Sequence, residues 1–186
     1  MRTRAAKALG TLITMTPRID PLIAELVTGS RTSDQGVKNA MLKALFEVVS
    51  KAGANMNEAS KNSILTLIDT ESGNDDSMAF TLARLLGALV KVLPSDAAAP
   101  VIKNRVLNSH MNKASVLALN AVLLDSPETL AELFPDETAS VVCQGISSSV
   151  GYPLFHTISF PLTLCLGPRN FRQLYSCCWQ VPPGRF

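Results

Sequence analysis

Four charged residues, Arg18, Asp20, Arg31 and Lys38, crowd the turns at either end of the first long apolar stripes of this chain. An arginine held in a turn presents a planar fork of donors that matches a carboxylate or a phosphate. These four are therefore the candidate partner contacts, with Arg18 first among them. The competing reading is solvated or locally paired surface charge, which contributes little to stability.

Other reactive residue types are present without the spacing that chemistry requires. His110 and His156 are the only histidines, and no G-x-S-x-G elbow supplies a nucleophile for either. His110 is better placed to complement a helix C-terminus than to act as a base. Cys177 and Cys178 are adjacent, whereas a metal needs thiolates about two residues apart and a second pair to complete its shell. Asp75 and Asp76, near Glu71, lack the alternating oxygens and closing glutamate of a calcium loop; helix capping accounts for them. Neither a P-loop nor a dinucleotide fingerprint occurs. Catalysis finds no foothold, and no cofactor, metal or small-molecule substrate is implied.

What positions these side chains is a phrase repeated four times. Lys7-Ala8-Leu9-Gly10-Thr11-Leu12-Ile13 returns as Lys43-Ala44-Leu45-Phe46-Glu47-Val48-Val49, as Arg84-Leu85-Leu86-Gly87-Ala88-Leu89-Val90, and loosely as Leu117-Ala118-Leu119-Asn120-Ala121-Val122-Leu123. The starts lie 36, 41 and 33 residues apart. A period near 40 marks stacked helical hairpins of the HEAT or armadillo kind. Each hairpin needs a neighbour to cover its apolar face. The fold class expected is all-α: a superhelical solenoid of antiparallel helix pairs, followed by an irregular C-terminal tail.

The punctuation agrees. Residues 4–15 carry a helical stripe through Ala5, Ala8, Leu9, Leu12 and Ile13. Pro21 suits the first turn of a helix through Leu22, Ile23, Leu26 and Val27, which ends at Gly29. Asp34 caps the next, through Val37, Met41, Leu42, Leu45, Val48 and Val49, to Gly53. Asn57 opens the second hairpin, whose return helix takes its cap from residues 74–76 and runs through Phe80, Leu82, Leu85, Leu86, Leu89, Val90 and Leu93. Ser95 and Asp96 open the third, Asn112 starts its return helix, and Ser126-Pro127-Glu128 begins a short helix to Phe134. A further stripe follows Pro135 through Val141, Val142 and Ile146.

The repeats therefore occupy residues 1–149, beginning with a lone second helix and closing with a lone first helix. An uncovered face of five or six aliphatic residues forfeits on the order of 10 kcal/mol, so the expectation is an array incomplete at both ends. Residues 150–186 differ in kind. They hold three arginines and no lysine or carboxylate, against 14 basic and 15 acidic residues in 1–149. Seven of the ten aromatics and five prolines also fall there. That composition fits a translated non-coding stretch, such as a retained intron or a frameshifted gene model. A net charge of −1 over the repeats argues against a nucleic-acid surface. No apolar run reaches the roughly 18 residues of a membrane span, and no secretory leader precedes the first stripe.

Lys7-Ala8-Leu9-Gly10, then Arg18-Ile19-Asp20-Pro21-Leu22-Ile23-Ala24-Glu25-Leu26, then Gly36-Val37-Lys38-Asn39-Ala40-Met41-Leu42-Lys43-Ala44-Leu45 resemble one family. It is that of the very large HEAT-repeat translational activators of general amino-acid control, in their C-terminal part, and the resemblance extends to Ser149. It implies a cytoplasmic, ribosome-associated scaffold without catalysis, which helps activate the initiation factor 2 kinase partly by binding that kinase's RWD domain. Arg18 and its neighbours are candidate contacts by that resemblance. The tail matches nothing in the family. A HEAT scaffold of the nuclear-transport or vesicle-coat type is the alternative; a pull-down with RWD domain, comparing Arg18→Ala with a surface control at Lys61, separates the two.

Overall fold

The computed structural model describes residues 18–32, 34–71, 76–107 and 113–134, together with positions 4, 5, 8, 11 and 137. Among these residues there are seven α-helices and no strand. The chain divides into two compact units, Met1–Val92 and Leu93–Phe186. Outside the described residues lie the compositional break at Ser149, the tail, the caps expected at residues 74 and 75, His110, Asn112, and the stripe through Val141 and Ile146.

In the first unit, α1 (Asp20–Gly29) and α2 (Gln35–Ala52) form one hairpin, and α3 (Glu58–Glu71) and α4 (Asp76–Val92) the next. Helix α1 packs on α2 and α3, and α2 on α4, so first helices meet first helices and second meet second. Local chemistry sets the ends. Asp34 Oδ1 accepts the Val37 amide at 2.9 Å, and Asn57 Oδ1 accepts the Ser60 amide at 2.7 Å, each satisfying a donor the helix leaves open. Pro21 stands in the first turn of α1, where its missing N–H costs nothing. Ile23, Leu42, Leu45, Val48, Ile64, Leu67, Leu85 and Leu89 are fully buried between the layers. Positions 4, 5, 8 and 11 are helical, in line with the helix expected over residues 4–15, and all four are exposed.

Polar contacts across the stack carry the sequence period. Asp20 meets Asn57 and Ser60, Lys51 meets Thr11 and Asn39 meets Thr81, at separations of 37, 40, 40 and 42 residues. Each residue thus touches its counterpart one repeat away, which is nearest-neighbour stacking.

Gly53 closes α2 for reasons of space. Its φ is −56°, an ordinary helical value, but a Cβ there would lie 2.8 Å from Val92 Cγ2. A 3-10 turn, Gly53–Asn55, then leads to Met56 and α3.

The second unit holds α5 (Ser95–Arg105), α6 (Lys113–Asp125) and α7 (Pro127–Leu133), with α7 packed on both others. Ala98, Ile102, Val106, Leu119, Val122 and Leu130 are among its buried apolar residues. Helix α5 carries Pro100 at an exposed position.

Three expectations require correction. Phe80, placed on the buried stripe of α4, is 54% exposed, because α4 turns Met78, Leu82, Leu85 and Leu89 inward. Ser126 makes no capping hydrogen bond, and its buried Oγ has no partner. Its ψ of 56° departs from the extended conformation that aims a cap at the helix amides. Lys61 is no surface residue: its stem is buried and Nζ meets Glu58 Oε1 at 2.7 Å.

Candidate protein-binding surface

The four turn residues are not brought to one place. Arg18 and Arg31 are both exposed, and they flank α1. Ten residues at about 1.5 Å each put roughly 15 Å of helix between them.

Asp20 and Lys38 are committed within the fold. Asp20 Oδ1 accepts the Ser60 hydroxyl at 2.7 Å and the Asn57 amide at 3.1 Å, joining the start of α1 to the start of α3. The Ser60 hydrogen bond, then the Asn57 amide, holds the Asp20 carboxyl below its ordinary value, against a smaller opposing effect of burial. Lys38 Nζ meets Glu71 Oε2 at 2.8 Å, with each side chain only 12% and 11% exposed. For these two residues, the locally paired alternative describes the geometry.

Sequence reasoning missed a different group of side chains. Helix α2 and helix α4 lie side by side, and their outward stripes carry Lys43, Phe46 and Ser50 on one, Phe80, Arg84 and Lys91 on the other. The Arg84 guanidinium sits over the Phe46 ring, 4.3 Å from its centroid. Phe46 and Glu47 are half-buried, while Lys43, Phe80, Arg84 and Lys91 are exposed. A signal existed: on a helical wheel, positions 80, 84 and 91 fall on one stripe, and two of the three are cations.

Among the described residues no cluster of three metal-ligating side chains occurs, and no helix is long and apolar enough to cross a membrane. Helical repeats whose distinctive side chains lie on open helix faces define a protein of the helical-repeat, surface-contact class. The chain belongs to the family of HEAT repeats of stalled ribosome sensor GCN1-like proteins, whose model matches residues 20–157. It is 43% identical over 155 residues to the eIF-2-alpha kinase activator GCN1 of Saccharomyces cerevisiae, covering 80% of this chain and 6% of that protein. It is 32% identical over 137 residues to Protein ILITYHIA of Arabidopsis thaliana, covering 70% of this chain and 5% of that one. Against the stalled ribosome sensor GCN1 of Homo sapiens the identity is 35% over 109 residues, 58% of this chain and 4% of the human protein. The chain thus spans only a twentieth or so of the length of these relatives. No solved structure matches it significantly.

Proposed function

We propose that this chain is a non-catalytic protein-binding segment of a translational-control scaffold, acting at cytoplasmic ribosomes in the activation of an initiation factor 2 kinase. The observation that carries this reading is 43% identity, over 80% of the chain, to a protein named as an eIF-2-alpha kinase activator. The fold is consistent with it: a stack joined by contacts one repeat apart keeps its apolar side chains between layers and leaves helix faces and turns open to partners. The nuclear-transport and vesicle-coat alternative gains no support from the family match.

The finer proposal is that the partner is the kinase's RWD domain and that Arg18 and Arg31, the exposed members of the turn set, reach it. The test is binding of isolated RWD domain to the full chain by titration calorimetry. Arg18→Ala and Arg31→Ala are expected to weaken binding several-fold, while Lys103→Ala, exposed on α5, leaves it unchanged. Absence of binding by the unmodified chain overturns the kinase assignment. Asp20 and Lys38 are unsuitable probes, since replacing either disturbs the stack itself.

A further inference from the structure

We propose that the open face shared by α2 and α4 is a second docking surface, beside the turn arginines, and that its occupant is an acidic protein segment carrying one apolar anchor. The inference rests on the protein-binding reading above and names the surface and the partner chemistry.

Charge selects the occupant. Helices α2 and α4 hold five cations, Lys38, Lys43, Lys51, Arg84 and Lys91, against two carboxylates, Glu47 and Asp76. Lys38 is spent on Glu71 at 2.8 Å. Lys51 pairs with Glu47 at 3.5 Å. That leaves Lys43, Arg84 and Lys91 on exposed positions of the outward stripes. Such a face attracts carboxylates and repels another basic surface.

Apolar exposure selects the anchor. Phe80 is 54% exposed and lies one helical turn before Arg84 on the same stripe. Aromatic and arginine side chains at the centre of a contact supply most of its energy. Stacking on Phe46 also restrains Arg84 before any partner arrives, so its planar fork loses less freedom on gripping a carboxylate. Nucleic acid is the poorer occupant: three unspent cations on a repeat segment of net charge −1 fall short of the basic excess a phosphate backbone calls for.

The experiment uses the full 186-residue chain. Two fluorescent peptides serve as probes, one of glutamate and aspartate around a single leucine, the other with serine in place of the leucine. A single-stranded RNA of matched charge and the isolated RWD domain are titrated in parallel. Variants are Phe80→Ala, Arg84→Glu, Lys43→Glu and the control Lys103→Ala, each checked for helicity by circular dichroism. The leucine peptide is expected to bind the unmodified chain, with affinity falling about tenfold in Arg84→Glu and Lys43→Glu. Phe80→Ala is expected to abolish the advantage of leucine over serine. Lys43→Glu leaves the Arg84–Phe46 stack in place, so it separates lost charge from lost packing. No binding of the leucine peptide, binding equal in all variants, or RNA bound more tightly than peptide with the same variant pattern would each overturn the proposal. RWD binding that persists in the three face variants, while peptide binding falls, supports this surface and places the kinase contact elsewhere. Peptide binding with the expected pattern and no RWD binding sinks only the kinase assignment.

Discussion

Lys38 Nζ lies 2.8 Å from Glu71 Oε2, a nearly buried ion pair that ties α2 of the first hairpin to the end of α3 in the second. Removing one partner strands the other charge in a low-dielectric setting, whereas removing both leaves only packing to restore. Lys38→Met or Glu71→Leu alone is expected to cost about 3 kcal/mol. The double replacement Lys38→Met with Glu71→Leu should recover most of that loss. Urea midpoints of the four proteins form the cycle; additive losses would show that the pair is not coupled.

The Asp20 carboxylate braces α1 to α3 through the Ser60 hydroxyl and the Asn57 amide. Asp20→Ala is expected to destabilise by about 1–2 kcal/mol, since both donors lose a charged acceptor that is only half-buried.

A pH dependence follows from the same contacts. Because the folded state binds the ionised form of Asp20 more tightly, its carboxyl is held below the ordinary 3.8. The contribution is complete above that value and disappears as pH falls through the lowered one. The stability difference between the unmodified chain and Asp20→Ala should therefore be flat above about pH 5 and shrink in acid. Denaturation curves at a series of pH values check it; a difference that grows on acidification contradicts the brace.

Gly53 lacks the room for a methyl group, with Val92 Cγ2 2.8 Å from where it would go. Gly53→Ala is expected to cost about 1–3 kcal/mol by overpacking, although its φ of −56° is compatible with alanine. Adding Val92→Ala should relieve the clash and give a favourable coupling of at least about 0.5 kcal/mol in thermal unfolding. No coupling would place the strain elsewhere.

Arg84 over Phe46 is an exposed cation–π pair 4.3 Å from the ring centroid. Arg84→Met should cost no more than about 1 kcal/mol. That mildness is what makes the α2–α4 face testable, since binding can be altered without unfolding the stack.

The period of the phrase and the existence of the helices were legible along the chain, as were the caps at Asp34 and Asn57. These depend on hydrogen bonds and apolar spacing within about four residues, which sequence order alone specifies. So too was a stack with neighbours near 40 residues away, since the starts at 7, 43 and 84 anticipate contacts such as Asp20–Ser60 and Asn39–Thr81. The fates of individual charges were not legible. Asp20 and Lys38 have the composition of surface residues, and only the crossing of helices from successive hairpins brought Ser60 and Glu71 within 3 Å of them. Phe80 shows the same limit from the apolar side. A helix bearing large hydrophobic residues around much of its circumference does not announce which of them its neighbours will cover, and packing turned Met78 and Leu82 inward and left Phe80 in water. Local periodicity chose the helices; the rotation of each helix against those beside it chose the surface.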